Sequence, residues 1–117
     1  MTIHRIVPNL KVADAGAGHD FYQRFLGLEQ SFELGWITGF WSPDNHGAQV
    51  SLVAGDATAP EDSVVSVGIT DVRDAYARAQ RLGYEIVHPL TDEPWGVRRF
   101  FVRDPHGHVI NVVSHRE

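Results

Sequence analysis

Cysteine is absent from this sequence, which excludes disulfide bonds, thiolate nucleophiles and metal sites with sulfur ligands. No apolar run is long enough to span a bilayer, and the first residues do not have the apolar stretch of a signal peptide. Acidic and basic residues are interspersed, with a net charge of -5, so the chain has neither a basic nucleic-acid-binding stripe nor an acidic tail. We therefore expect a cytoplasmic protein that binds neither a membrane nor nucleic acid.

Two kinds of catalytic motif are also missing. The chain has no Gly-x-Ser-x-Gly nucleophile elbow, and it has no glycine-rich loop of the kind that holds the phosphates of a nucleotide cofactor. Its 117 residues have an ordinary globular composition, with 43% hydrophobic and 21% charged residues. A chain of this length forms one compact domain, or two half-size modules that share a core.

The most informative feature that is present is an internal repeat. The segment Leu26–Glu29 (LGLE) recurs as Leu82–Glu85 (LGYE), and a glycine followed by alternating residues at 47–53 recurs at 107–113. The chain therefore contains two copies of one structural unit. The positions that the repeat equates include Ser51 with Asn111 and Val50 with Ile110.

Two helices are predicted at corresponding places in the two copies. Asp14 is the expected N-cap of the first helix, and Gly27 suits the left-handed residue that ends it. Asp71 begins the second helix, and Gly83 ends it. The apolar residues expected on one face of each helix are Ala17, Phe21, Phe25 and Leu28 in the first, and Val72, Ala75, Ala79 and Leu82 in the second.

Strands are predicted around each helix. Residues 3–12 alternate as in a half-buried strand, in which Pro8 indicates an edge position or a bulge because it lacks a backbone donor. Asp104–Gly107 has Pro and Gly where a type I turn requires them, which predicts a hairpin over 97–113. The remaining strands are expected near 29–34, 36–42, 48–54, 64–69 and 84–88.

The predicted order of elements is βαβββ twice, which indicates the α+β class. The small, polar segment 57–62 is the linker candidate, between modules of about 1–56 and 63–117 within one domain. In each module a helix covers one face of a four-stranded sheet, so the other face is left exposed unless something else packs against it. Two such modules side by side form a cup-shaped, curved mixed sheet with the helices outside, and cavities of this kind are common ligand sites.

Strand alternation predicts which side chains face the helices and which face the cup. The apolar residues expected to meet the helices are Val50, Leu52, Val65, Val67, Ile69, Ile110 and Val112. The small or polar alternates expected to face the cup are Gln49, Ser51, Ser66, Gly68 and Asn111. This polar set could instead face bulk solvent without any function.

Further motifs resemble those of a known family. Phe21-Tyr22 precedes Leu26-Gly27-Leu28, and Trp95–Phe100 (WGVRRF) is followed by DPHGHVIN at 104–111. With the paired βαβββ pattern, these segments are similar to the vicinal-oxygen-chelate superfamily, which includes glyoxalase I, extradiol dioxygenases, fosfomycin-resistance transferases and bleomycin-binding proteins. The resemblance covers essentially the whole chain and is strongest to the bleomycin-resistance-like branch. A fold shared by so many chemistries does not indicate which one is present.

The resemblance implies a divalent metal held by one His or Glu from the first and last strand of each module. The corresponding positions of this sequence are Val7, Ser51, Val64 and Asn111. None of these side chains is a carboxylate or an imidazole, so we expect no metal cofactor. A displaced site that uses His115 with Gln49 and Asn111, or one that uses His88, stays open, although amides are poor ligands for transition metals.

Aromatic side chains are concentrated near the third and seventh strands: Trp36, Phe40, Trp41, Trp95, Phe100 and Phe101. Most large aromatic residues are buried in a core, but Trp41 and Phe101 are predicted to face the ligand, followed by Trp36. Trp95-Gly96 is expected to form a turn at the lip of the cup. Arg99 shares the parity of Phe101, and it could meet an anionic group of a ligand or lie at the rim in solvent.

The resemblance and the missing metal ligands together predict a bacterial binding protein that sequesters a flat or amphipathic drug or metabolite as a homodimer and need not be an enzyme. The predicted ligand-binding residues are Val7, Asn9, Trp41, Gln49, Ser51, Ser66, Arg99, Phe101 and Asn111. A metal-dependent lyase, isomerase or dioxygenase with non-standard ligands is one alternative. A structural or partner-binding module, whose cup is filled by side chains, is another.

Overall fold

The computed structural model describes residues 1–116, and contacts divide the chain into two compact units. Unit 1 combines Met1–Ile6 with the segment that begins at Ser63, and unit 2 consists of Val7–Asp62, so the first strand contributes to both. No helix in the described range is long and apolar enough to cross a membrane. The elements in chain order are β1 (Ile3–Lys11), a π-helix (Asp20–Phe25), β2 (Glu29–Glu33), β3 (Ile37–Trp41), β4 (Gln49–Val53), β5 (Val65–Ile69), α1 (Val72–Arg81), β6 (Ile86–Asp92), β7 (Val97–Arg103) and β8 (Val109–His115).

The sheet of unit 1 has the strand order β1-β5-β8-β7-β6. Strands β5 and β8 pair in parallel, whereas β7 pairs antiparallel with both β8 and β6. Parallel neighbours cannot be joined by a tight hairpin, and here α1 and two further strands intervene between them. Together with the helices, this mixed sheet confirms the predicted α+β class.

The limits of α1 follow from capping residues at its two ends. The Asp71 carboxylate accepts a hydrogen bond from the Asp74 backbone N–H (3.1 Å), which makes Asp71 the N-cap. After the last turn, Gly83 has φ +79°, and the Tyr84 backbone N–H donates to the Ala79 carbonyl (3.1 Å). This bond is the outer one of a Schellman motif. Both predicted limits of the helix are confirmed.

The core of unit 1 lies between α1 and one face of the sheet. Its buried members are Ile69, Val72, Ala75, Phe100 and Val112. Val67, Ile110 and Ala79 pack against this cluster, so the predicted alternation holds in β5 and β8. The prediction for Leu82 is wrong, because this residue is the C-cap beyond the packed turns of α1 and is 61% exposed.

The core of unit 2 lies beside the π-helix. Its strand order is β2-β3-β4-β1, in which β2, β3 and β4 are antiparallel and β1 is parallel to β4. The fully buried Phe40 ring stacks on Tyr22 and meets His19 edge-on, each at a centroid distance of 5.4 Å. Thr38 Oγ1 donates a hydrogen bond to the Ala15 carbonyl (2.7 Å), which ties the segment before the π-helix to β3.

The first predicted helix is wrong in type, in starting residue and in buried face. The Asp14 carboxylate accepts a hydrogen bond from Gly16 N–H (2.9 Å) within a local turn, and the helix is a short π-helix over Asp20–Phe25. Because a π-helix has a wider turn, its residues do not follow 3.6-residue spacing. Tyr22 therefore packs inward, and only Leu28 of the predicted face is half-buried. The exposed members of that face are Ala17, Phe21 and Phe25.

The strand predicted at 84–88 is displaced towards the C-terminus and continues through Pro89. It forms β6, at the edge of the unit 1 sheet, where a residue without a backbone donor is tolerated. Register shifts between Ile86 and His88, and between His88 and Thr91, accommodate the irregularity. Pro8 lies just before the residues of β1 that pair with β4, since that pairing begins at Asn9.

Candidate ligand-binding face

The far face of unit 1, defined as the side of its sheet opposite α1, brings together several residues predicted to bind a ligand. Pairing across four strands places Ser66 beside Asn111, Asn111 beside Phe101, and Phe101 beside His88. Arg99 lies two residues before Phe101 on β7, so its side chain is on the same face. Four of the predicted contacts, Ser66, Arg99, Phe101 and Asn111, therefore share the far face.

A buried ion pair lies at the β6–β7 end of the far face. Arg99 Nε donates to Glu93 Oε2 (2.6 Å), and His88 Nε2 lies 3.3 Å from the same oxygen. Arg99 is only 4% exposed, so the alternative that it is a solvated rim residue is wrong. A guanidinium at this depth needs a counter-charge, because the desolvation of an unpaired charge costs several kcal/mol. Glu93 supplies that charge.

Two aromatic rings surround the same guanidinium. Its Cζ lies 5.0 Å from the centroid of the Trp95 ring and 4.7 Å from that of Phe101, within the range of cation–π attraction. Phe101 is fully buried and meets the His88 ring edge-on at 5.5 Å. Gly96, with φ +93°, allows the turn beside Trp95 as predicted. The far face thus contains a packed cluster of aromatic and charged side chains.

Asn111 leaves one buried polar atom without a partner. Its Nδ2 donates to Ser66 Oγ (2.9 Å), whereas Oδ1 accepts no hydrogen bond from any residue that the structure describes. The residue is 8% exposed. An unsatisfied buried acceptor costs about 1–3 kcal/mol. A molecule that brings an N–H or O–H group to this atom would remove that cost.

Trp41 and Gln49, both predicted to contact the ligand from unit 2, meet at a turn. They are directly opposed on β3 and β4. The Trp41 ring stacks on the His46 ring at 3.7 Å, and Gln49 Nε2 donates to the His46 carbonyl (2.6 Å). One face of the indole is therefore already covered. Asn9 and Ser51, the other polar residues predicted here, are opposed on β1 and β4.

The four positions where the resemblance implies metal ligands do not suit a metal ion. Val7 is buried but apolar, Ser51 offers only a hydroxyl group, and Val64 is 48% exposed. The Asn111 amide already donates to Ser66. Within residues 1–116, no three His, Cys, Asp or Glu side chains come together in a way that could hold an ion.

The histidines considered for a displaced metal site already have cationic neighbours. His88 shares the Glu93 carboxylate with the guanidinium of Arg99. His115 Nε2 lies 3.4 Å from Nη2 of Arg5. A divalent ion at either imidazole would be repelled by a positive charge a few ångströms away. The donor sets around both histidines therefore do not fit a divalent metal.

Glu93 and His88 are members of the buried cluster that the sequence did not reveal. Glu93 reaches Arg99 across the turn between β6 and β7, in which Gly96 N–H donates to the Glu93 carbonyl (3.1 Å). This contact can be foreseen only if β6 extends to Asp92, whereas the sequence predicted a strand that ends near residue 88. The sequence Glu93-Pro94-Trp95-Gly96 was the available signal for a hairpin that pairs the two side chains.

Comparisons with known proteins agree on the fold. The profile of the Glyoxalase/Bleomycin resistance protein/Dioxygenase superfamily matches residues 2–112. A member of that superfamily from Vibrio splendidus 12B01 is 22% identical, covers 97% of this chain and 99% of its own, and has a TM-score of 0.69. Streptomyces coelicolor methylmalonyl-CoA epimerase is 18% identical, covers 97% and 96%, and has a TM-score of 0.70. At such identities the likeness of the structures shows the fold alone. No curated protein sequence matches this chain.

Proposed function

Because this chain belongs to the glyoxalase/bleomycin resistance protein/dioxygenase superfamily, we propose that it is a small-molecule-binding protein that sequesters a drug or metabolite. The far face of unit 1 is the proposed binding surface. Ser66 and Asn111 are proposed to contact the ligand, and the predicted contacts Arg99 and Phe101, which are 4% and 0% exposed, to hold this part of the sheet in place. The contacts predicted in unit 2 stay predictions: Val7, Asn9, Trp41, Gln49 and Ser51.

The unsatisfied Oδ1 of Asn111 is the observation that carries this proposal. The atom is buried, and the amide of the same side chain donates to Ser66. On β7, the residue paired with Asn111 is Phe101. A planar ligand with an N–H or O–H group could place its ring against apolar surface and donate to Oδ1. Ligand sites in proteins commonly combine apolar walls with a few convergent polar groups of this kind.

The ionisable side chains of the far face favour binding without catalysis, because they already contact one another. A general base needs a carboxylate or imidazole that is available to the substrate. Glu93 is held by Arg99, and His88 lies against the same carboxylate. Sequestration requires only affinity, so these groups can serve to hold the aromatic cluster in place.

Replacing Asn111 with leucine tests the proposed surface. We expect Asn111→Leu to weaken binding of an aromatic amide or alcohol about tenfold or more, because the hydrogen bond to Oδ1 is lost in a buried site. A panel of such compounds is screened by ligand-observed NMR, and dissociation constants are then measured by calorimetry. The free energy of unfolding, measured with urea, should change little, because loss of the hydrogen bond to Ser66 is offset by removal of a buried unsatisfied oxygen.

The matched control is Gln80→Leu, at an exposed position of α1, which should leave the dissociation constant unchanged. Equal affinities of the wild type and Asn111→Leu for a compound that binds one to one would contradict the proposed surface.

We also expect this chain to form a homodimer, as its resemblance to the superfamily implies. Exposed apolar side chains favour association, and the large ones of unit 2 are Leu10, Phe21, Phe25, Leu26, Phe32 and Leu34. Sedimentation velocity over a range of concentrations measures the state directly. A monomer at every concentration would contradict this expectation.

A further inference from the structure

A second guanidinium, that of Arg5, lies on the far face. A Cβ atom added to Gly68 would be only 2.6 Å from Cζ and Nη1 of Arg5, so the arginine lies flat against the backbone of β5 at that residue. Gly68 follows Ser66 by two residues on β5, which puts both on the face of Asn111. Nothing in the neighbouring sequence distinguishes Arg5 from a solvated strand residue.

Among residues 1–116, none supplies Arg5 with the counter-charge that Arg99 has. The one side-chain partner of Arg5 within residues 1–116 is Nε2 of His115 at 3.4 Å, and no carboxylate of that range is paired with it. Burial lowers the pKa of Arg5 from its usual range, and no carboxylate of the described residues acts against that effect. A half-buried cation without a counter-charge is costly, and an anion placed against it recovers that free energy.

We propose that Arg5 binds an anionic group of the ligand, namely a carboxylate, a phosphate or a sulfonate. The inference rests on the proposed function, and it narrows the ligand to an aromatic acid that also carries an N–H or O–H group for Asn111. A guanidinium presents its donors as a planar fork, which matches two oxygens of such a group. Gly68 is a positioning residue, because only a residue without Cβ lets Arg5 lie against β5.

Matched pairs of aromatic acid and primary amide test this inference on the intact protein. The probes are indole-3-carboxylate, 6-hydroxy-2-naphthoate and salicylate, each compared with its carboxamide by calorimetry. We expect the acid of a binding pair to be preferred about tenfold or more, since ionic hydrogen bonds are roughly twice as strong as neutral ones. Arg5→Gln should abolish the preference, and Gly68→Ala should reduce it by displacing the guanidinium.

The ratio of acid to amide affinity shows whether a variant has lost its preference for the anionic group, because a general loss of structure would weaken binding of the acid and the amide alike. Arg73→Gln removes the same charge from the exposed surface of α1 and should leave the ratio unchanged. If Arg5→Gln does not fold, Gly68→Ala decides the test. Equal affinities of acid and amide, or a ratio that survives in the Arg5 and Gly68 variants, would overturn the inference but not the proposed function. If no member of any pair binds, the proposed function fails and this inference fails with it.

Discussion

Replacing Arg99 with methionine should lower the free energy of unfolding by about 3–5 kcal/mol, because the change leaves a carboxylate buried without its cation. Glu93 is 2% exposed and accepts a 2.6 Å hydrogen bond from Arg99 Nε. Removing the guanidinium also removes its contacts with the rings of Trp95 and Phe101. Urea denaturation followed by far-ultraviolet circular dichroism measures the loss.

Two further variants show whether the loss comes from the unpaired charge. In the double variant Arg99→Met with Glu93→Leu both charges are gone, and stability should return towards the wild type, since buried pairs often break even against apolar residues. Arg98→Met breaks the exposed pair with Asp92, and it should lower the free energy of unfolding far less than Arg99→Met does. If Arg99→Met lowered the free energy of unfolding as little as Arg98→Met, the buried pair would stabilise the protein no more than the exposed pair does.

Truncating Phe100 to alanine should destabilise the protein by about 3–5 kcal/mol, the range found for large aromatic residues in tightly packed cores. The ring is 1% exposed, lies in the cluster formed with α1, and meets the Tyr76 ring edge-on at a centroid distance of 5.0 Å. Its removal would leave a cavity between the helix and the sheet. Thermal and urea denaturation both measure the effect.

Tyr84→Ala is the control for that truncation, because Tyr84 is an aromatic residue of unit 1 that is 47% exposed. Its loss should cost no more than about 1 kcal/mol, in line with substitutions away from the core. If both variants lost equal stability, the core between α1 and the sheet would not be where the structure has it.

The features that the sequence predicted well are set by a few adjacent residues. Asp71 and Gly83 limit α1 because capping depends on one side chain at one end and on one backbone conformation at the other. The turn at Asp104–Gly107 is equally local: Asp104 N–H donates to the His108 carbonyl (2.8 Å), and Gly107 has φ +90°. The strand alternation in β5 and β8 was predictable since a two-residue period needs no knowledge of the partner strand.

The features that the sequence missed depend on residues far apart in the chain. The π-helix replaces the predicted α-helix where Tyr22 must reach Phe40, a contact that no local spacing indicates. Gly18 is required there because a Cβ atom would lie 2.7 Å from the Leu52 side chain. Similarly, Arg99 could be read as a rim residue until β6 was known to extend far enough to bring Glu93 against it.

The same reason explains why the candidate site was only partly predictable. Parity alone put Ser66 and Asn111 on one face, and the strand register does bring them side by side, with Phe101 next to Asn111. Parity could not show that Asn111 has a satisfied amide nitrogen and an unsatisfied oxygen, since that depends on the position of the Ser66 hydroxyl group. The sequence therefore predicts which residues lie on the far face, whereas the hydrogen bonds among them depend on how the strands pair.

NMR chemical shifts of backbone and side-chain N–H groups would show directly whether the far face of unit 1 binds a small molecule. The protein is titrated with the aromatic acids and amides described above, and every assigned N–H signal is followed. We expect the largest shifts at the Asn111 side-chain amide, the Trp95 indole N–H and the Ser66 backbone N–H. Shifts confined to other parts of the chain, or none with any compound of the panel, would contradict binding at this face.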